Sequence, residues 1–149
     1  MGWECYHLHT FEVSGVDYGP SEDEYDPWED DKKLKVGQAI FISPKLKYTY
    51  DLGDGWQHEV SFEKEYLVEP QERYPLCTEG ENNCPPEDVG GIEAFAEYKK
   101  AMLDKNHSRH QEFFNWRGTY DPVEFSNRMA NFRMIRRKVA KNLKLKEFV

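Results

Sequence analysis

Several things this chain lacks narrow its possible roles. No stretch approaches the roughly 20 consecutive apolar residues needed to cross a bilayer, so no membrane role is expected. The first ten residues, MGWECYHLHT, show no basic region followed by an apolar run. That argues against a secretory leader and for a cytoplasmic protein. There are only three cysteines, Cys5, Cys77 and Cys84, an odd number that suits reduced thiols better than a disulfide framework. No GxSxG elbow is present, and the Gly-rich stretches DLGDGW and EDVGGIEAF lack the lysine of a phosphate-binding loop. Positive charge is also short, with 20 Lys and Arg against 28 Asp and Glu for a net charge of −8. Phosphates would be repelled by most of such a surface, which excludes a general nucleic-acid coat. No internal repeat and no second domain are visible, so 1–149 reads as one domain.

What is abundant is aromatic area, 15% of residues, which can carry much of the burial. The charges are segregated. Residues 22–31, EDEYDPWEDD, hold seven acids and no base, and residues 133–146 hold seven bases and no acid. Solvated surface explains both runs. The basic run, with Arg133, Arg136, Arg137, Lys138 and Lys141, is also a candidate nucleic-acid docking site, whose binding would fall steeply with salt.

Periodicity suggests a strand over 6–13, with His7, His9, Phe11 and Val13 on one face. An exposed acidic loop follows, in which Trp28 is either a plug or a partner contact. Residues 34–42 fit a short helix or a strand equally. Two strands, about 46–51 and 56–67, flank Asp54-Gly55, a dipeptide suited to a tight turn. A long loop over 68–91 contains Pro70, Pro75, Pro85 and Pro86. The second half is helical. Ile92, Phe95, Ala96, Met102 and Leu103 form one stripe, and Asp121-Pro122-Val123-Glu124 reads as a helix start. Strands first and helices after predict an α+β fold: an antiparallel sheet built around the 46–67 hairpin and packed against C-terminal helices.

In this order GWECYHLHTFEV, YTYDLGDGWQHEVSFEK, YPLCTEGENNCPPEDVGG and DPVEFSN closely resemble the plasmid pRiA ORF-three-like family, also labelled insertion-element passenger proteins. The resemblance covers roughly residues 2–131 and implies a compact α+β fold. It brings no established activity. The label resolvase, sometimes attached to passengers, is not supported, because nothing here resembles the nucleophile-bearing region of a serine recombinase. Family members also carry a strand and a helix ahead of the Gly-Trp stretch, here at Gly2-Trp3. Their lack would bare a sheet edge, and bare edges seek partners. Self-association through that edge is therefore expected.

Two kinds of chemistry are written into the polar residues. Asp51, Asp54, Glu87 and Asp88 supply carboxylates and His58 an imidazole that titrates near neutrality. With magnesium this set suits a metal-dependent hydrolase such as a nuclease. His9, His58, Cys77 and Cys84 are the candidate ligands for zinc, although the six residues between the two cysteines depart from zinc-knuckle spacing. Against both readings, Asp and Gly are what a turn demands, and Glu87-Asp88 can pin a loop by accepting backbone N–H bonds. The leading expectation is a binding module associated with mobile elements that recognises a protein or peptide. Its polar cleft would lie between the hairpin and CPPEDVGG, lined by Asp51, His58, Cys77 and Glu87. The metal-dependent hydrolase is the alternative.

Overall fold

Ser14 and Gly15 both take positive φ, 51° and 83°, the signature of a two-residue hairpin turn whose twist matches its strands. They join β1 (His9–Val13) to β2 (Val16–Gly19), with Val13 opposite Val16. These strands belong to a computed structural model that describes residues 2–21, 23–67, 75–132 and 134. The chain divides into two compact units, 4–66 with 87–98, and 1–3 with 67–86 and 99–149.

The first unit is a five-stranded sheet in the order β3-β2-β1-β4-β5. Here β3 is Glu29–Asp30, β4 Lys45–Tyr50 and β5 Trp56–Ser61. All pairs are antiparallel except β2 with β3, so the α+β expectation holds with one parallel edge. The period-2 pattern sorts the side chains cleanly. Phe11, Val13, Leu46, Tyr48, Tyr50, Trp56, His58 and Val60 share one face by register. Thr10, Glu12, Lys45, Lys47, Gln57 and Glu59 share the other, with ion pairs Lys47–Glu12 and Lys45–Glu59. Tyr50, Val13 and Trp56 are buried, and the Trp56 ring meets Phe95 edge-on at 5.8 Å.

Residues 34–42 resolve as helix α1 (Val36–Ile42), reached from a 3-10 turn over Asp31–Lys33, and Ala39 of the helix is buried. The acidic stretch is less of a loop than its composition predicts. Asp31 and Lys32 lie in the 3-10 turn, and Trp28 folds back with its ring over Gly19, donating Nε1–H to the Pro20 carbonyl at 2.9 Å. Of the two readings of Trp28, the plug is what the structure shows. β5 ends at Ser61 rather than 67. The apolar stripe of helix α2 (Gly91–Leu103) turns inward only in part: Phe95 meets Trp56, and Tyr98 and Ala101 are fully buried, whereas Ile92 and Leu103 are exposed.

In the second unit, α3 (His110–Arg117) buries Phe113 and stops at Gly118, whose φ of 73° suits glycine. Asp121 does not start a helix. Its carboxylate accepts the Val123 N–H in an isolated turn, and the helical stretch begins at 127 after Ser126, whose hydroxyl accepts the Met129 N–H. The reason is visible in the partners: the Asp121 and Pro122 carbonyls are taken by Asn83. Asn131 clamps the Cys77 backbone, accepting its N–H at 2.6 Å and donating to its carbonyl at 2.9 Å. Among the described residues no helix is long and apolar enough to cross a membrane.

Candidate metal centre at the β4–β5 turn

The segment between β4 and β5 is five residues long, not the two-residue Asp54-Gly55 turn. Positive φ falls on Asp51 (54°) and Gly55 (66°). The Asp51 side chain organises this loop: one oxygen, Oδ1, accepts the N–H groups of Gly53 at 2.9 Å and Asp54 at 3.2 Å. That leaves Oδ2 facing away from the turn. Asp54 has a separate role. Its Oδ2 accepts the Gly90 N–H at 3.0 Å, and its carbonyl lies against Gly91, where a Cβ would come within 2.9 Å. Asp54 thus fixes the start of α2 to the hairpin and occupies the helix end that Gly90-Gly91 offers to an anion.

Glu87 and Asp88 arrive on the same side. Glu87 is buried, accepts the Tyr50 hydroxyl on both oxygens (3.0 and 3.2 Å) and accepts the Glu4 N–H. Burial pushes the Tyr50 phenol up to about 12, with the Glu87 charge adding to it. This is the structural duty foreseen for Glu87: it ties residues 4–8 and 87–88 to the sheet. Asp88, at φ 60°, carries its carboxylate toward His7.

His7 is the centre of the cluster and was missed among the candidate ligands. Its Nε2 lies 2.9 Å from Asp88 Oδ1, 3.7 Å from Asp51 Oδ2 and 3.9 Å from Glu87 Oε2. Ligand atoms of His7, Asp51 and Asp88 all lie within 4.8 Å of one another. The Nε2 atom is buried from solvent yet makes no well-directed hydrogen bond among the described residues. Neither Asp51 nor Asp88 has a Lys or Arg ion-pair partner among them. Three carboxylates around one imidazole leave net negative charge in a half-buried place, which a cation would offset. The signal for His7 was the alternation of His7 and His9. It read as a strand face, but β1 begins only at His9.

The other candidates lie elsewhere. His9 Nε2 is 2.9 Å from Asp31 Oδ2, and His58 Nδ1 is 3.2 Å from the Tyr48 carbonyl. Cys77 and Cys84 belong to the second unit, where the Cys77 thiol lies 3.4 Å from the Glu79 carbonyl. None of the three cysteines is in a disulfide. Arg133, Arg136, Arg137, Lys138 and Lys141 lie outside the described residues.

Known proteins resemble this chain as a whole. An uncharacterized protein of Sinorhizobium fredii, y4hQ, is 34% identical over 142 residues, spanning 93% of this chain and 71% of its own. The crystal structure of a protein of unknown function from Methanosarcina mazei, MM3350, superposes with a TM-score of 0.73 at 34% identity. That match covers 86% of this chain and 75% of the other. The profile of plasmid pRiA4b ORF-3-like proteins matches residues 1–129, and the chain belongs to that family.

Proposed function

We propose that this chain is a cation-organised binding module of a plasmid-associated family. A divalent ion held by His7, Asp51 and Asp88 would lock the 4–8 segment, the β4–β5 loop and the 87–88 segment together. The observation that carries this reading is His7 Nε2, buried and without a directed hydrogen bond while three carboxylates surround it. The donor set is one imidazole nitrogen with carboxylate oxygens and no thiolate, which favours manganese or zinc over softer ions. Ligands drawn from separate stretches of chain make ion binding a folding term. The recognition surface for a protein or peptide then needs no catalysis of its own.

The test is calorimetric titration of chelator-treated, dialysed protein with Mn²⁺ and with Zn²⁺, alongside His7→Ala and Asp88→Asn. One bound ion with a raised melting temperature is expected, weakened about tenfold or more in both variants, as for lost ligands or ligand supports. Wild-type protein that binds neither ion would end the reading.

A metal-dependent hydrolase is the second reading, favoured by one observation. The side chains of Asp88 and His7 stay 56% and 27% exposed, so an ion there would keep water as a ligand on its open side. Hydrolysis of a phosphodiester probe by the metal-loaded protein, lost in Asp88→Asn, is the expected sign. Ion binding without turnover would leave the binding module alone.

A further inference from the structure

The sheet ends at β5, and among the described residues no strand covers that edge. Its register with β4 runs unbroken from Lys45–Ser61 to Tyr50–Trp56, with no bulge, proline or glycine in the strand. Phe62 donates its N–H to the Pro44 carbonyl. By the alternation of an antiparallel ladder, the even residues of β5 therefore face β4, and the backbone groups of Gln57, Glu59 and Ser61 point outward. Among the described residues no strand pairs with them. Proteins usually blunt such an edge with a free charge, a proline or a twist. Here the one charge in β5, Glu59, is engaged by Lys45 at 2.8 Å.

Beside this edge, on the apolar face, α1 and the sheet enclose a cavity of about 420 Å³ whose walls include Phe11, Leu46, Val60, Phe62, Val36 and Ile40. Its mouth is ringed with apolar surface, for Val60, Phe62 and Val36 are all exposed. We propose that β5 is a docking edge for an extended segment of another protein, one that alternates apolar with basic residues. An added strand would satisfy the outward amides and carbonyls. Every second side chain would fall over the apolar face, toward the cavity, and the rest beside Gln57, Glu59 and Ser61.

Charge selects the partner. Beyond the paired Glu59, residues 62–65 carry Glu63 and Glu65 against Lys64 alone, and the whole chain carries −8. A second copy would bring the same acids and the same net charge to the edge, so like charges oppose self-pairing. The complement already exists within the sheet, in β4. Its KLKYTY alternates lysines with apolar residues and pairs with the inner edge of the same strand, Lys45 meeting Glu59. This inference is independent of the cation site.

The experiment uses a fluorescent KLKYTY peptide with the full chain, compared with ELEYTY and with KLKYTY carrying backbone N-methyl groups on alternate residues. Gln57→Pro is the companion variant, because it removes an outward N–H that β4 does not use. Expected are saturable binding of KLKYTY that weakens with salt, binding of ELEYTY and the methylated peptide weaker by about tenfold or more, and a similar loss in Gln57→Pro. Equal binding of KLKYTY and ELEYTY, or undiminished binding of the methylated peptide, overturns the proposal whether or not the proline variant folds. So does a wild-type dimer that excludes the peptide.

Discussion

Replacing Tyr50 with phenylalanine removes one hydroxyl from the floor of the cluster and little else. Tyr50 is 1% exposed, and its O–H is donated to the buried Glu87 carboxylate at 3.0 and 3.2 Å. Hydrogen bonds to charged groups contribute about 1.5–3 kcal/mol, and the ring volume is kept, so no cavity cost is added. The expected loss at pH 8 is about 2 kcal/mol, or roughly 4–8 °C in melting temperature for a chain of this size. Burial of that hydroxyl, with the Glu87 contact adding to it, has a second signature. The folded phenol is pushed up to about 12 from its ordinary 10.0, so above pH 10 the unfolded chain releases a proton that the folded chain retains. Stability contributed by this group is complete below pH 10 and is lost as pH rises toward 12, by about 1.4 kcal/mol per pH unit. The phenylalanine ring of the variant has no proton to lose. The gap between wild type and Tyr50→Phe should therefore shrink from about 2 kcal/mol at pH 8 toward zero near pH 12. Urea melts read by tryptophan fluorescence at several pH values measure both effects, since Trp56 lies in the same unit. A variant as stable as wild type at pH 8, with an unchanged gap at pH 11, would refute the claim that this bond ties the 87–88 segment to the sheet.

Gly91→Ala places a Cβ 2.9 Å from the Asp54 carbonyl at a φ of 78°; thermal melts should show a loss of more than about 1 kcal/mol. Gly19→Ala would drive a Cβ into the Trp28 ring at 2.8 Å. The indole should lift out, seen as a red shift in its emission with only a modest stability change, because Trp28 is partly exposed already. Of the three thiols, Cys5 is exposed and Cys77 and Cys84 are half-buried. Brief alkylation of the native protein, mapped by mass spectrometry, should therefore label Cys5 first.

Much of the fold was legible because the strands obey one strong rule. Alternation through HTFEV, KLKYTY and WQHEVS puts the aromatics on one face, and the structure keeps that face intact. The errors arose where a local signal met a tertiary competitor. Asp121-Pro122 carries the helix-start chemistry, but Asn83 takes the carbonyls of both residues, and Ser126 caps the helical stretch instead. Ile92 and Leu103 share a helical stripe, yet the inward face of α2 is set by Phe95, Tyr98 and Ala101. The site was half legible. Asp51, Glu87 and Asp88 stood out as carboxylates in conspicuous turns, while His7 was hidden in an apparent strand. Only the positive φ of Asp51 and Asp88, invisible in a sequence, turns those carboxylates toward it.

Those two backbone conformations offer a test of the proposed cation site against a loop that needs no ion. A non-glycine residue at positive φ carries a cost of about 1 kcal/mol, somewhat less for Asp. Glycine relieves that cost but loses about 0.5–1 kcal/mol of chain entropy on folding. At φ 60°, Asp88→Gly should therefore leave stability in the absence of metal nearly unchanged. Asp51 is less informative, because its Oδ1 also holds the Gly53 and Asp54 amides, so Asp51→Gly damages the loop whatever the ion does. Asp88 has no such second duty among the described bonds: its carboxylate meets His7. If the residue serves the ion, Asp88→Gly should keep its melting temperature in chelator, within about 0.5 kcal/mol, and lose the stabilisation that Mn²⁺ or Zn²⁺ gives wild type. A variant that keeps that metal response would show that the ion, if bound, does not depend on Asp88. A variant that unfolds in chelator would make the His7–Asp88 pair a structural bond in its own right.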